Sequence, residues 1–86
     1  MRISTKIDYA LRAMAELAAA SDDRPVKAEL IGKRQDIPQK FLLAILNELR
    51  RSHLVRSQRG QVGGYVLARS PDDITLADVM RAVEGP

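Results

Sequence analysis

The amino-acid sequence predicts a mainly α-helical fold with one small two-stranded β-hairpin, and three observations predict it. Apolar residues recur at helical spacing in four separate segments. Residues 54–58 and 65–69 alternate in the manner of strands, and glycines lie between them. A short turn, residues 35–37, joins the second helical segment to the third, and the hairpin follows the third. This order is that of a winged helix-turn-helix, in which the hairpin is the wing.

Composition limits the chain to one domain, residues 1–86, with one modest core. Cysteine is absent, which excludes disulfides, thiolate metal sites and a cysteine nucleophile, so we expect no cofactor in this chain. No apolar run approaches the ~20 residues that a membrane-spanning helix needs. The N-terminal sequence MRISTKIDY lacks the apolar core of a signal peptide. We therefore expect a cytoplasmic protein that does not bind membranes.

The first helix is expected to begin near Ser4 or Thr5, because Thr5 and Asp8 have the spacing of a capping box. Its apolar residues recur at helical spacing, and they are Ile7, Leu11, Met14, Leu17 and Ala18. A loop is expected over residues 22–25, where two aspartates, an arginine and a proline interrupt this pattern.

The second helix is expected from about Lys27 to Arg34, although Lys27 is a poor N-cap. Its expected buried residues are Ala28, Leu30 and Ile31. The third helix is expected over residues 38–52, since proline suits a first turn. One stripe of this helix is predicted to be buried, namely Phe41, Leu42, Ile45, Leu46 and Leu49. Polar residues and Leu43 lie on its other faces.

The hairpin turn contains Gly60, Gly63 and Gly64. Glycine is needed where the backbone takes a positive φ or where a side chain would keep the backbone away from a partner. The fourth helix is expected to begin at Thr75, with Asp78 completing a capping box. Its apolar stripe consists of Leu76, Val79, Met80 and Val83.

Charge is segregated along the chain, and this segregation favours a polyanionic partner. No Asp or Glu occurs between Leu49 and Pro71, whereas five arginines do, at positions 50, 51, 56, 59 and 69. Such runs are often only solvated surface. Here they flank a turn and follow a helix of suitable length, and arginine can grip a phosphate or a guanine edge with two bonds. We therefore expect double-stranded DNA as the partner.

Side chains of the third helix could assist the contact with DNA. Gln39, Lys40 and Asn47 could reach bases or phosphates from the third helix. Leu43 could touch a thymine methyl group, or it could equally pack against the hairpin or the first helix.

The sequence does not suggest an enzyme. His53 is the only histidine, it has no acid nearby in sequence to orient it, and it suits the C-terminal end of a helix. The glycines lie between two strands, whereas a nucleotide-binding loop requires them between a strand and a helix.

Four segments in order resemble the Rrf2 family of bacterial transcriptional regulators, and they are MRISTKIDYALRAMAELA, IPQKFLLAILNELR, LVRSQRGQVGGYVLAR and ITLADVMRAVEG. The resemblance implies a homodimer that binds a near-palindromic DNA operator, in most members as a repressor. It implies that helix 38–52 enters the major groove and that the wing, residues 56–65, lies at the adjacent groove or backbone. Gln39, Lys40 and Leu43 would then face bases, Arg59 would act in the wing, and Tyr9 would lie near the backbone.

The residues and the resemblance together predict one set of DNA-binding residues. These are Lys6, Tyr9, Gln39, Lys40, Leu43, Asn47, Arg50, Arg56, Ser57, Arg59 and Gly60. A winged helix that binds another protein is an alternative, and it predicts an exposed apolar patch and weak salt dependence. An RNA-binding winged helix is a further alternative, for which stacking aromatic residues are scarce.

The chain also departs from the family pattern. Members that sense through an iron–sulfur cluster carry three cysteines downstream, so a cluster is possible only if ligands lie beyond residue 86. Members continue into a long dimerisation helix, and without it we expect Met80 and Val83 to have few partners. His53 stands where the family often has glycine, so we expect strain where the third helix ends.

Overall fold

The computed structural model describes residues 3–20, 24–61 and 63–85, and within these ranges it has the predicted fold. The helices are α1 (Thr5–Ala19), α2 (Ala28–Gln35), α3 (Gln39–Arg51) and α4 (Leu76–Glu84). The strands β1 (Val55–Gln58) and β2 (Gly64–Leu67) form an antiparallel hairpin, and a single 3-10 turn (Pro71–Asp73) precedes α4. Asp22 and Asp23, which the sequence assigned to a loop, lie outside the described residues.

The apolar face of α3 forms the centre of the core. Leu42, Ile45, Leu46 and Leu49 are buried there as predicted, and α1, α4 and β1 pack around them. Phe41, however, is 58% exposed, so its predicted burial is wrong. At 3.6 residues per turn it lies about 90° around the helix from the centre of the buried stripe.

The predicted burial of Leu30 is also wrong, since 39% of it is exposed. Helix α2 buries Ala28, Ile31 and Gly32 instead, and Leu30 projects from the opposite side of this helix. Helix α2 therefore contributes only a narrow, mostly small-residue face to the core.

The sequence predicted a capping box at the start of α1 and another at the start of α4, and only the second is present. The Oγ atom of Ser4 accepts the Ile7 N–H at 3.1 Å, whereas Asp8 pairs with Arg12, so the predicted Thr5–Asp8 box is wrong. At α4 the predicted box is present, and both of its hydrogen bonds measure 3.0 Å. The Thr75 N–H, which donates to Asp78, is the largest factor that lowers the pKa of this carboxyl below its usual value.

Helix α4 is an integral part of the core. Val83 is only 2% exposed, Met80 is half-buried, and α4 packs against both α1 and α3. The expectation that these two residues have few partners is therefore wrong. The hydroxyl of Ser4 also donates to Glu84 at 2.9 Å and joins the start of α1 to the end of α4.

Helix α3 ends as the sequence suggested, on a residue in the left-handed region. His53, two residues after α3, has a φ of 63°, a conformation that residues other than glycine rarely adopt. The next amide, that of Leu54, donates to the Leu49 carbonyl at 3.0 Å and closes the helix end.

Candidate nucleic-acid interface

An open groove lies between the hairpin, the first turns of α3 and the start of α2, and we call it the α3–hairpin groove. Five predicted DNA-binding residues meet in it, namely Gln39, Leu43, Ser57, Arg59 and Gly60. Its other lining residues are Lys27, Ala28, Glu29, Gln58, Gly63, Gly64 and Tyr65.

The hairpin is fixed to the start of α2 by a backbone bridge. The Val26 N–H donates to the Tyr65 carbonyl at 2.9 Å, and the Tyr65 N–H donates to the Val26 carbonyl at 2.8 Å. Gly64 makes this approach possible, because a Cβ at that position would lie 2.6 Å from the Val26 carbonyl oxygen. Glycine is thus required at position 64 by a contact with the protein's own backbone.

The other two hairpin glycines shape the turn. Gly60 has a φ of 106° and faces open space, so its backbone conformation alone favours glycine. A Cβ on Gly63 would lie 2.5 Å from the Gln58 carbonyl oxygen, inside the turn. The turn therefore presents the backbone and side chain of Arg59 at the end of the hairpin.

The helix-turn-helix connection places Gln39 at the mouth of the groove. Asp36 adopts a left-handed φ of 54°, and the Ile37 N–H donates to the Gly32 carbonyl at 2.9 Å. A Cβ on Gly32 would lie 2.8 Å from Oε1 of Gln39. A side chain at Gly32 would therefore push the end of the Gln39 side chain aside and crowd the Ile37 carbonyl oxygen, 3.0 Å from the same Cβ position. The sequence reasoning missed this requirement.

The outward face of α3 is polar and exposed. Lys40, Ala44, Asn47 and Arg51 follow one another at helical spacing, and all four are exposed. Arg50 donates from Nη2 to Oδ1 of Asn47 at 2.7 Å. The predicted residues Lys40, Asn47 and Arg50 thus lie on α3 outside the groove.

Arg56 lies on the other side of the hairpin from Ser57. Neighbouring strand residues point to opposite faces, and Arg56 is paired with Val66 while Ser57 is paired with Tyr65. Arg56 lines a separate cavity together with Arg24 and Arg69. The arginine cluster of the sequence is therefore divided between two faces of the hairpin.

Lys6 and Tyr9 occupy a third region, on the side of α3 that faces α1. The Nζ atom of Lys6 lies 3.0 Å from Oε1 of Glu48. The guanidinium of Arg12 lies 5.1 Å from the centre of the Tyr9 ring, within the range of a cation–π contact. A shallow apolar groove here is lined by both residues and by Phe41.

The groove also contains residues that the sequence reasoning missed, namely Lys27, Glu29 and Gln58. Lys27 and Glu29 reach it because Val26 pairs with Tyr65, a contact between distant parts of the chain. Glu29 places a carboxylate beside a stretch that has no acid of its own in sequence. The one signal in the sequence was the poor N-cap at Lys27, which indicates that the start of α2 has a role other than capping.

Comparison with known proteins agrees with this architecture. The Rrf2 family model, described as an iron-dependent transcriptional regulator, matches residues 3–86. A putative HTH-type transcriptional regulator of Mycobacterium tuberculosis, Rv1287, is 49% identical over 86 residues, which are 100% of this chain and 53% of the relative. The chain thus spans about half the length of that curated relative.

Solved structures show the same fold. CymR, the global cysteine regulator of Bacillus subtilis, superposes with a TM-score of 0.93 at 40% identity, over 100% of this chain and 67% of that one. The IscR structure from T. potens gives a TM-score of 0.92 at 40% identity, over 99% of this chain and 62% of that one. The relatives bear the names of transcriptional regulators, which agrees with the expectation that this chain is not an enzyme.

The residues of this chain do not fit the iron that the family description mentions. Iron–sulfur clusters are held by cysteine thiolates, and the sequence has no cysteine and one histidine. Over residues 3–20, 24–61 and 63–85, no three His, Asp or Glu side chains are grouped so that they could hold a metal ion. In the same ranges, no helix combines the length and hydrophobicity needed to cross a bilayer.

Proposed function

The chain belongs to the Rrf2 family of transcriptional regulators, and from this premise we propose that it binds double-stranded DNA and represses transcription. The observation that carries the proposal is the α3–hairpin groove. The first turn of α3 and the end of the basic hairpin both line this groove. Such a regulator acts on a bacterial chromosome, and hence in the cytoplasm.

Binding begins with charge. Lys40, Arg51 and Arg59 are exposed and displace counterions from phosphates, so the affinity falls steeply as salt is added. Helix α3 then enters the major groove with its outward face, where Lys40 and Asn47 reach base edges. Arg59 at the hairpin end contacts the adjacent groove or backbone, while Arg50 and Gln39 border the same surface.

The remaining predicted residues have supporting places in this proposal. Ser57 and Gly60 line the groove and offer a hydroxyl and a close backbone approach to phosphate. Arg56 lies behind the wing and strengthens its positive potential. Tyr9 and Lys6 lie beside α3 on the α1 side, where a phosphate of the opposite strand would pass.

We further propose a homodimer that reads a near-palindromic operator. Two copies of α3 would then lie about 34 Å apart, one turn of DNA. The relatives are longer than this chain. The family resemblance implies a dimerisation helix after the matched part, and such a helix supports this proposal.

A second candidate is a winged helix that binds another protein, and the exposed Phe41 beside Tyr9 favours it. The two functions differ in their salt dependence, because a mainly apolar protein interface responds weakly to salt whereas phosphate contacts respond strongly.

The proposal is tested by selection from a random pool of duplex DNA with the full chain, followed by fluorescence anisotropy at several salt concentrations. We expect enrichment of a near-palindrome and an affinity that falls at least about tenfold between 50 and 200 mM salt. Absence of any enriched sequence would overturn the proposal, and so would salt-independent binding.

A further inference from the structure

Helix α3 exposes two large apolar side chains near its start. Phe41 is 58% exposed and Leu43 is 46% exposed. Water disfavours such surface, and the core does not require either residue, because Leu42, Ile45, Leu46 and Leu49 already fill the buried stripe of α3. Single exposed apolar residues are common on protein surfaces, and Leu76 is similarly exposed. Phe41 and Leu43 differ in that they lie on the helix that the proposed function brings to DNA.

The two side chains leave α3 on opposite flanks. Leu43 projects into the α3–hairpin groove. Phe41 lines the shallow groove on the α1 side, beside Tyr9 and Ala44. Lys40 and Asn47 lie between them on the outward face, so cationic and amide groups separate the two apolar spots.

We propose that Phe41 and Leu43 read the C5-methyl groups of thymines in the operator. This inference rests on the proposed function and specifies which bases α3 selects. The thymine methyl is the apolar group that base pairs present in the major groove, among acceptors and donors that suit lysine and asparagine. Since a helix with its side chains is about 10 Å wide, the two residues contact methyl groups of different base pairs.

The arrangement favours DNA over a protein partner for these side chains. Protein-binding sites are marked by large contiguous apolar patches. Phe41 and Leu43 do not belong to one patch, because Lys40 and Asn47 lie between them, and the same helix carries Arg50 and Arg51. The apolar groove beside Phe41 is shallow and has Lys6 and Glu48 in its lining. Apolar spots that alternate with cations and an amide match a groove edge in which methyl groups alternate with hydrogen-bonding atoms.

The test replaces thymine by uracil, which removes only the methyl group. The duplex enriched from the random pool is synthesised with thymine and with deoxyuridine throughout, and anisotropy gives the affinity of the full chain for both. Burying one methyl is worth a factor of about four in affinity. We therefore expect wild type to prefer the thymine duplex about 16-fold for each bound protomer, a factor of about four for each of its two methyl contacts.

The variants Phe41→Ala and Leu43→Ala assign the preference to residues. Each is expected to reduce the thymine-to-uracil affinity ratio about fourfold for each bound protomer, because it removes the apolar partner of one methyl. The matched control is Leu76→Ala, since Leu76 is a comparably exposed leucine, 47%, on α4. This control is expected to keep the wild-type ratio.

Two results would overturn the inference while leaving DNA binding intact. One is equal affinity of wild type for the thymine and uracil duplexes. The other is a Phe41→Ala and a Leu43→Ala variant that both weaken the two duplexes by the same factor. Failure to bind any duplex is a different result, which would remove the proposed function itself.

Discussion

The cations of α1, α2 and α4 differ from those of α3 and the hairpin in the ion pairs that they form. Among the described residues, ion pairs join Lys6 and Arg12 of α1, Arg34 of α2 and Arg81 of α4 to carboxylates. None of those ion pairs includes a cation of α3 or of the hairpin. The difference teaches that abundance of arginine says little by itself. A cation remains available to phosphate when no carboxylate lies within ion-pair distance, as for Arg59, which shares its groove with Glu29 but forms no ion pair with it.

Two side chains of α1 also hold the helix-turn-helix in place. Arg12 donates from Nη1 to the Gln35 carbonyl at 2.6 Å, and the Gln35 side chain donates to Glu16 at 2.6 Å. These bonds fasten the last turn of α2 to α1, where α2 itself buries only a narrow face. Hydrogen bonds to charged groups contribute about 1.5–3 kcal/mol each, so these two bonds help to fix the end of α2.

The largest expected effect moves the hairpin without changing any charge. In Gly64→Ala, the new Cβ would meet the Val26 carbonyl, so we expect a loss of about 3 kcal/mol in the free energy of unfolding. DNA affinity should fall more than about tenfold, since Arg59 would be displaced from α3. Chemical denaturation and anisotropy measure the two quantities.

Gly60→Ala is the matched control for Gly64→Ala. Both glycines have a positive φ, but open space surrounds Gly60. We expect a loss of only about 1 kcal/mol from its backbone conformation. Equal losses in the two variants would show that the bridge to Val26 does not position the hairpin.

Next in size is the contrast between Arg59, which forms no ion pair among the described residues, and Arg34, which pairs with Glu16. Arg59→Ala should weaken binding to the selected duplex about tenfold, because a charged hydrogen bond to DNA is lost. Arg34→Ala should change it less than about twofold, since Glu16 already neutralises that side chain. A similar loss in both variants would erase the distinction between the two groups of cations.

A lysine pair tests the same contrast through salt. Lys40→Ala should lower the slope of log affinity against log salt by about 0.9 for each bound protomer, the value for one phosphate contact. Lys6 is paired with Glu48, so Lys6→Ala should lower the slope by less than half of that amount. Titrations at four salt concentrations give both slopes, and a change for Lys6 as large as that for Lys40 would show that pairing with Glu48 does not weaken its contribution.

The smallest effect concerns the stability of the protein at acid pH and arises at the start of α4. The Thr75 N–H lowers the pKa of Asp78, so the folded state binds this proton less readily than the unfolded state. The resulting stability is complete above the ordinary value of 3.8 and is lost as the pH falls through the lower folded pKa. The Tm difference between wild type and Asp78→Asn should therefore shrink below about pH 4; a constant difference would contradict this.

Much of the fold could be predicted because its signals are local. Helical spacing identified the buried stripe of α3, and the Thr75–Asp78 spacing identified the start of α4. The misassigned residues, Phe41 and Leu30, lie away from the centres of their buried faces, where the choice depends on which neighbour packs there. Capping failed at Thr5 because Ser4, one residue earlier, supplies the same oxygen.

The candidate site was harder to predict because it is assembled from distant segments. Lys27 and Glu29 enter the groove only through the Val26–Tyr65 bridge, and sequence spacing does not reveal such a pairing. Arg56 and Ser57 are neighbours in sequence, yet the strand places them on opposite faces. The residues of α3 were predictable because one helix carries them.

The bridge between Val26 and Tyr65 also bears on how a duplex would be accommodated. Each residue donates to the other's carbonyl, so the wing cannot swing relative to the helix-turn-helix unless both bonds break. With the spacing of wing and α3 fixed, the duplex must adjust its own groove widths to engage both. Sequences with easily deformed pyrimidine–purine steps would then be favoured even at base pairs that no side chain touches.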